Sequence, residues 1–327
     1  MNVFAYRMPH ASQDDIVIME IGVPSELNFS ETMGGFVGAP FLPTRKPLFY
    51  PQRHKLSVIP ENVVFENARG FEFYEKSESE YEEYIKTIKS CLRRREDYKV
   101  VASRRFVIKR TLSISKFFHS LCLEYPDAFV FLVSTSEFGT WIGASPELLL
   151  QREKEIIKTV ALAGTRNVTE HDEAWDTKNI LEQKIVTEHI LEVMKRNGLK
   201  PFVDGTHTCK AGKIEHLITN IECHLKAETC LLPILQELSP TPALCGEPRN
   251  LALDLIRQNE DDRHLYGGYC GPMSQNGDFR FNVVLRCANI EPGKITLFAG
   301  GGVTAYSDPH AEWEETEAKF NTILSFL

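Results

Sequence analysis

At about 100° per residue, Glu188 falls on the same helical stripe as Leu181, Ile185 and Leu191, so the spacing turns its carboxylate toward the packed side of a long helix. An inward carboxylate needs a partner: either an internal ion pair with Lys184 one turn earlier, or a role as metal ligand or catalytic acid. Glu315 lies in the first turns of the last helix among Glu312, Glu314 and Glu317, where acids meet the helix dipole favourably without further function. It also shares a face with Ala311, Ala318 and Thr322, small residues that leave room for a ligand. Arg286 sits in Phe281-Asn282-Val283-Val284-Leu285-Arg286-Cys287-Ala288, a run apolar enough for a central strand. A guanidinium there keeps its charge and needs a buried anion, from the protein or from a substrate. Gly300-Gly301-Gly302 follow a strand ending at Phe298-Ala299; such a loop lets backbone approach a ligand and offers N–H donors to an anion, or is a plain connection. Lys99 opens the strand Lys99-Val100-Val101-Ala102-Ser103-Arg104, and Glu147 follows Ser145-Pro146 at a strand turn; each alone reads as a solvated charge. Together, a lysine, three carboxylates, a strand arginine and a Gly-rich loop, without a Ser/His/Asp or Cys/His nucleophile pattern, suit a dicarboxylate substrate held partly through a hard, oxygen-ligated divalent cation.

Elements must bring these residues together. Helical spacing is clear at Tyr81, Tyr84, Ile85, Ile88 and Leu92, again from about 115 to 123, from about 173 to 196 ending at Asn197-Gly198, and near 250 to 257. A last helix starts after Ser307-Asp308-Pro309, an N-cap followed by proline at the first helical position. Strand signals come in hairpin-like pairs: Ala128 to Val133 with Trp141 to Gly143, two strands turning near Lys154, and two near 279–288 and 294–299. Paired strands broken by few long helices lack the rhythm of a parallel doubly wound sheet, so an α+β fold of largely antiparallel sheets is expected, as a single domain over 1–327.

Composition narrows the function classes. With 37 Lys+Arg against 45 Asp+Glu, the net charge of −8 argues against sequence-independent nucleic-acid binding. No apolar run reaches the roughly 18–20 residues that cross a bilayer. The first residues, with Arg7, His10, Asp14 and Asp15, lack a secretion-signal core, so the chain reads as cytoplasmic. The 8 cysteines form no CxxC pair and read as reduced packed thiols. Zinc-protease, P-loop and nucleophile-elbow motifs are missing as well.

Eight stretches in fixed order carry a resemblance: KVVASR at 99–104, IGASPELLL at 142–150, LAGTR at 162–166, KIVTEH at 184–189, SPTPALCGEPR at 239–249, YGGYCGP at 266–272, VVLRCA at 283–288 and FAGGGVTAYSDPHAEWEETEAK at 298–319. With them the sequence resembles the chorismate-utilising enzymes, most closely the isochorismate synthases. The resemblance implies the α/β fold of the anthranilate synthase component I type, with two large antiparallel sheets packed with helices around a central cleft. It implies Lys99 as the general base that activates water, Glu147 as the general acid, and Glu188 and Glu315 as ligands of Mg²⁺. Substrate contacts are implied at Gly164, Thr165, Ala243, Arg286, Gly300 and Lys319. The part before about residue 75 is shorter than in typical members, and the family's HPTPA is here Ser239-Pro240-Thr241-Pro242-Ala243.

Two positions separate the branches. Anthranilate and aminodeoxychorismate synthases carry glutamine where Lys99 stands, because a glutaminase partner feeds them ammonia. Aminodeoxychorismate synthases also carry a nucleophilic lysine where this chain has Ala163. Both differences imply water as nucleophile and hence no glutaminase subunit; separately, a monomer or weak dimer is expected. The implied reaction is isochorismate synthesis, for menaquinone or for a siderophore. The alternatives are salicylate synthesis, which adds pyruvate elimination at the same site, then anthranilate synthase component I or a non-catalytic chorismate-binding protein.

Overall fold

Antiparallel hairpins dominate the chain, as the paired strand signals require. Phe129–Thr135 and Gly139–Ser145 pair residue for residue around a turn in which Gly139 takes φ 76°. Leu148–Glu153 and Ile156–Asn167 turn at Lys154, itself in the left-handed region at φ 55°. The computed structural model describes residues 1–30, 33–63, 73–93, 95, 98–168, 174–211, 214–226 and 228–324.

Every strand pairing among the described residues is antiparallel, and the strands form two large sheets. One sheet runs Leu48–Leu56, Val17–Ile21, Asn2–Arg7, Phe129–Thr135, Gly139–Ser145, Cys287–Glu291, Lys294–Val303, Lys99–Ile108 and Gly246–Glu247. The other runs Phe202–Ala211, Ile214–His224, Ile156–Asn167, Leu148–Glu153, Phe279–Val283, Tyr269–Met273, Gly35–Ala39 and again Leu48–Leu56, whose other side holds Ser25–Glu26. The chain passes between sheets within Leu48–Leu56, at Pro146-Glu147 and at Val284 to Arg286. A core of aromatic and aliphatic side chains, among them Phe36, Tyr50, Phe131, Trp141, Leu150 and Phe281, fills the space the sheets enclose.

Among the described residues six α-helices cover the sheets: α1 Glu78–Cys91, α2 Ile114–Glu124, α3 Thr177–Arg196, α4 Leu231–Leu238, α5 Arg249–Asn259 and α6 Pro309–Leu324. α1 starts with a capping box, Ser77 with Glu80, and buries Tyr81, Tyr84, Ile85 and Ile88, the stripe its spacing shows. α6 starts as expected, with Asp308 Oδ1 accepting from the Ala311 amide at 2.9 Å. α3 begins at Thr177 behind the cap Asp176 and ends at Asn197, with Gly198 at φ 74°; residue 173, the expected start, lies outside the described residues. No helix of the described residues is long and apolar enough to cross a membrane.

Two expectations need correcting. Gly300, Gly301 and Gly302 are not a loop: they lie inside the strand Lys294–Val303, opposite Ser103, Ala102 and Val101. Arg286 is not inside a strand but at the crossing between sheets, at φ 46°. The physical reason is common to both. A run of glycines carries no periodicity that separates strand from loop, and an unbroken apolar run does not reveal where a chain leaves one sheet for the other.

Candidate active site

Two of the crossings are tied together. The Val283 amide and Asn282 Nδ2 both donate to the Glu147 carbonyl at 3.0 Å, and the Ala144 amide donates to the Arg286 carbonyl at 3.1 Å. Ser145-Pro146 ends one strand and turns the Glu147 side chain into the interior. There Thr241 Oγ1, from the SPTPA segment, donates to Oε1 at 3.2 Å. Burial pushes the Glu147 carboxyl up to about 7, held back in part by the Thr241 bond and the Lys99 charge. A carboxylic acid in that range can deliver a proton at neutral pH.

Lys99 opens its strand with a side chain only 2% exposed and pairs with Glu182 on α3. One turn earlier on α3, Lys178 Nζ lies 3.5 Å from Glu312 Oε1 on α6. One turn further along α6, Glu315 accepts from Lys319 Nζ at 2.7 Å, and the same ammonium donates to the Gly300 carbonyl at 2.7 Å. Lys319, above all, holds the Glu315 carboxyl below its ordinary value, whereas burial and the neighbouring Glu315 raise that of Glu312. Ser307 leans on the Glu312 carboxyl, yet the buried Glu312 Oε2 has no hydrogen bond of normal geometry among the described residues. The Lys99 charge also acts on Glu147 and on Glu315.

A second corner is built around Arg286 and His216. Gly164, at φ 75°, makes a bulge opposite Leu217 and His216 just before the exposed Thr165; its missing Cβ would lie 3.2 Å from the Asn179 carbonyl. Asn179 Oδ1 accepts from the Thr165 amide at 3.0 Å. Arg286 Nη2 lies 3.0 Å from His216 Nε2, while His216 Nδ1 faces the Gly164 carbonyl at 3.2 Å and Thr165 Oγ1 at 3.1 Å. Burial first, then the Arg286 charge, pushes His216 down to about 4, so a neutral imidazole accepts from the guanidinium and donates through Nδ1. Among the described residues no carboxylate pairs with Arg286, although burial disfavours its charge. Its left-handed backbone costs roughly 1–3 kcal/mol, and together these features leave a fixed cation in want of an anion. Lys319 and Glu182 act on His216 as well, which joins this corner to the lysine–acid cluster.

Glu188 takes no place in this arrangement. Its side chain is 59% exposed and faces Lys184 at 3.6 Å as a surface pair one turn apart. The inward stripe of α3 is Gln183, Val186, Ile190, Val193 and Met194, and Leu181 is exposed. α3 carries apolar residues on two adjacent stripes. Packing on the Ile156–Asn167 strand selects the one that turns Glu182 rather than Glu188 toward Lys99. Ala243 is half-buried against the main core. Sequence reasoning passed over Lys178, Glu182, His216 and Thr241, and read Glu312 only as a helix-dipole acid. The i,i+4 spacing of Lys178 with Glu182 and the i,i+3 spacing of Glu312 with Glu315 were the available signals; His216, on an alternating strand, had none.

The family model described as chorismate binding enzyme matches residues 52–327. The isochorismate synthase EntC of Escherichia coli (strain K12) is 31% identical over 241 residues, 69% of this chain and 61% of that protein. The isochorismate synthase MenF of Bacillus subtilis (strain 168) is 31% identical over 258 residues, 74% of this chain and 54% of that protein. The matches thus span about half to three fifths of these relatives' own length. In fold, the chain superimposes on MenF, the menaquinone-specific isochorismate synthase from Escherichia coli, with TM-score 0.83 and 19% identity, over 100% of this chain and 89% of that one.

Proposed function

This chain belongs to the family of chorismate binding enzymes, and from that premise we propose that it is an isochorismate synthase acting as a single chorismate-binding domain. The observation that carries the reading is a buried lysine whose charge acts on a buried glutamic acid raised to about 7. Water attacks C2 of the chorismate ring, the double bonds shift, and the C4 hydroxyl leaves. Lys99 takes the proton of the attacking water. A lysine takes up that proton only as the free amine. Glu147, whose raised carboxyl keeps a protonated fraction at neutral pH, protonates the departing hydroxyl. Arg286, kept in place by His216, and the Thr165 segment bind one carboxylate of the substrate, and Lys319 the other side of the site.

The acids of α6 suit Mg²⁺. That ion takes oxygen ligands, keeps several waters and binds through one or two carboxylates. Glu315 and Glu312 offer these oxygens one turn apart, and the unsatisfied buried Glu312 Oε2 is an atom a cation would satisfy. When bound there, the ion would supply positive charge to a substrate carboxylate. Glu315→Gln is expected to raise the Mg²⁺ concentration for half activity by about 10- to 100-fold, and EDTA to silence the wild type. Full activity in metal-free buffer would remove magnesium from the reading. With water as nucleophile no glutaminase subunit is needed, and we place the reaction in the cytoplasm.

The deciding experiment is incubation with chorismate and Mg²⁺ at neutral pH, followed by chromatography. A chorismate–isochorismate mixture approaching a fixed ratio is expected. Steady accumulation of salicylate and pyruvate above the uncatalysed background would move the chain to salicylate synthesis instead.

A further inference from the structure

α6 carries two sets of side chains on separate faces. At about 100° per residue, Glu312, Glu315 and Lys319 share one stripe, and Trp313, Thr316, Glu317 and Phe320 share another about a third of a turn away. The first stripe holds the oxygens proposed for the metal. The second converges on one residue of the strand Lys99–Ile108, Arg104, whose side chain is 1% exposed. Arg104 Nε donates to Thr316 Oγ1 at 2.6 Å, and its Nη2 pairs with the Glu317 carboxylate. The guanidinium carbon lies 3.5 Å from the centre of the Trp313 ring and 4.7 Å from that of Phe320. Resting on the proposed function, we infer that Arg104 is the positioning residue of the α6 acids: its grip on the neighbouring stripe fixes the rotation of α6 about its axis, and with it the direction of the Glu312 and Glu315 carboxylates.

Two different contacts set how close α6 lies and how it is turned. A Cβ on Gly301 would come within 2.5 Å of Glu312 Oε2, so the helix is pressed against the strand Lys294–Val303. Close approach alone leaves a cylinder free to turn. Side-chain tips lie about 5–6 Å from a helix axis, so a turn of about 20° moves a carboxylate by about 2 Å. Mg²⁺ demands near-ideal octahedral geometry with oxygens at about 2.0–2.1 Å, and a displacement of that size loses a ligand. A planar guanidinium resists the turn because it offers donors in fixed directions and a face for stacking, and Arg104 uses both on α6. Its own anchor is rigid, since Arg104 sits opposite Ala299 in the ladder between the two strands. Thr316 Oγ1 passes the grip to the helix backbone by donating to the Trp313 carbonyl at 2.7 Å. Tyr81 of α1 lies on the same ring, with centres 5.9 Å apart.

Arg104→Lys keeps a charge for Glu317 but removes the fork and the stacking face. The probe is Mn²⁺ alone, an ion of the same oxygen preference, titrated into chorismate-free enzyme and counted by electron paramagnetic resonance. Its dissociation constant is expected to rise about 10-fold in Arg104→Lys, the effect of losing a residue that orients metal ligands. The Mg²⁺ concentration for half activity should rise in parallel, while kcat at saturating Mg²⁺ returns to within about threefold of wild type. A residue that only stabilised the fold would lower the unfolding temperature and leave the Mn²⁺ constant of the folded protein unchanged. Trp313 tests the grip from the helix side. Trp313→Leu, without an aromatic face, should weaken Mn²⁺ binding as Arg104→Lys does, and Trp313→Phe should recover most of the affinity. Thermal unfolding is read first; if Arg104→Lys fails to fold, the two variants of the half-buried Trp313 decide alone. Folded Arg104→Lys that binds Mn²⁺ within about twofold of wild type overturns the role, and so does Trp313→Leu that binds it as tightly as Trp313→Phe. A wild type that binds Mn²⁺ without converting chorismate removes the proposed reaction and leaves the Mn²⁺ comparison to decide this role. A wild type that binds no Mn²⁺ removes the metal assignment and this role together.

Discussion

Glu147→Gln is expected to lower chorismate turnover by about 10²- to 10⁴-fold, the contribution of a positioned general acid, with little change in substrate affinity. The glutamine keeps the shape and can still meet Thr241, but it has no proton to give to the departing hydroxyl. The raised carboxyl also sets a pH signature. Because burial holds the Glu147 proton up to about 7, the wild-type kcat should fall as pH rises through that value, and residual turnover in the variant should lack this limb. Stability responds with a definite sign. A folded-state pKa of about 7 against an ordinary value of 4.5 means that the protonated group's contribution is fully present below the unfolded value and lost as pH rises through the folded one. Near pH 8, on the order of one unit above that value, the wild type therefore bears the cost of a buried carboxylate that the amide does not. Thermal unfolding there should find Glu147→Gln at least as stable as wild type. Undiminished turnover, or a kcat limb that survives in the variant, would take the acid role from Glu147.

Lys99→Gln should be as damaging, by about 10²- to 10⁴-fold in kcat, since the amide cannot accept the proton of water. A second readout links this position to the acid. The Lys99 charge now holds the Glu147 carboxyl down, so removing it should let that group rise further, and the alkaline limb of the remaining activity should move to higher pH. Turnover within about threefold of wild type would exclude Lys99 as base. A limb that stays in place would show that the two groups do not share one cavity.

Local pattern made much of this protein legible. The Tyr81, Tyr84, Ile85, Ile88 stripe, the Asp308-Pro309 start of α6 and the Asn197-Gly198 end of α3 follow from side-chain period, capping chemistry and the left-handed freedom of glycine. The hairpins followed from alternation and turn residues. The site motifs around Lys99, Glu147, Arg286, Glu315 and Lys319 were likewise on view in the chain, and folding brings these five into one neighbourhood.

Tertiary structure decided the rest. Helical spacing allows two inward faces for α3, because Leu181, Ile185 and Leu191 form one apolar stripe and Val186, Ile190 and Val193 another. Only contact with the sheet and α4 chose the second, which exposes Glu188 and turns Glu182 to Lys99. The crossing at Arg286 could not be read from an unbroken apolar run, since where a strand changes sheets depends on partners far along the chain. His216 gained its meaning the same way: a strand histidine becomes the acceptor that aims Arg286 only when the bulge at Gly164 is laid beside it. Side-chain period records which residues prefer burial; which buried polar groups meet is set by the closure of two sheets, a long-range arrangement no local window contains.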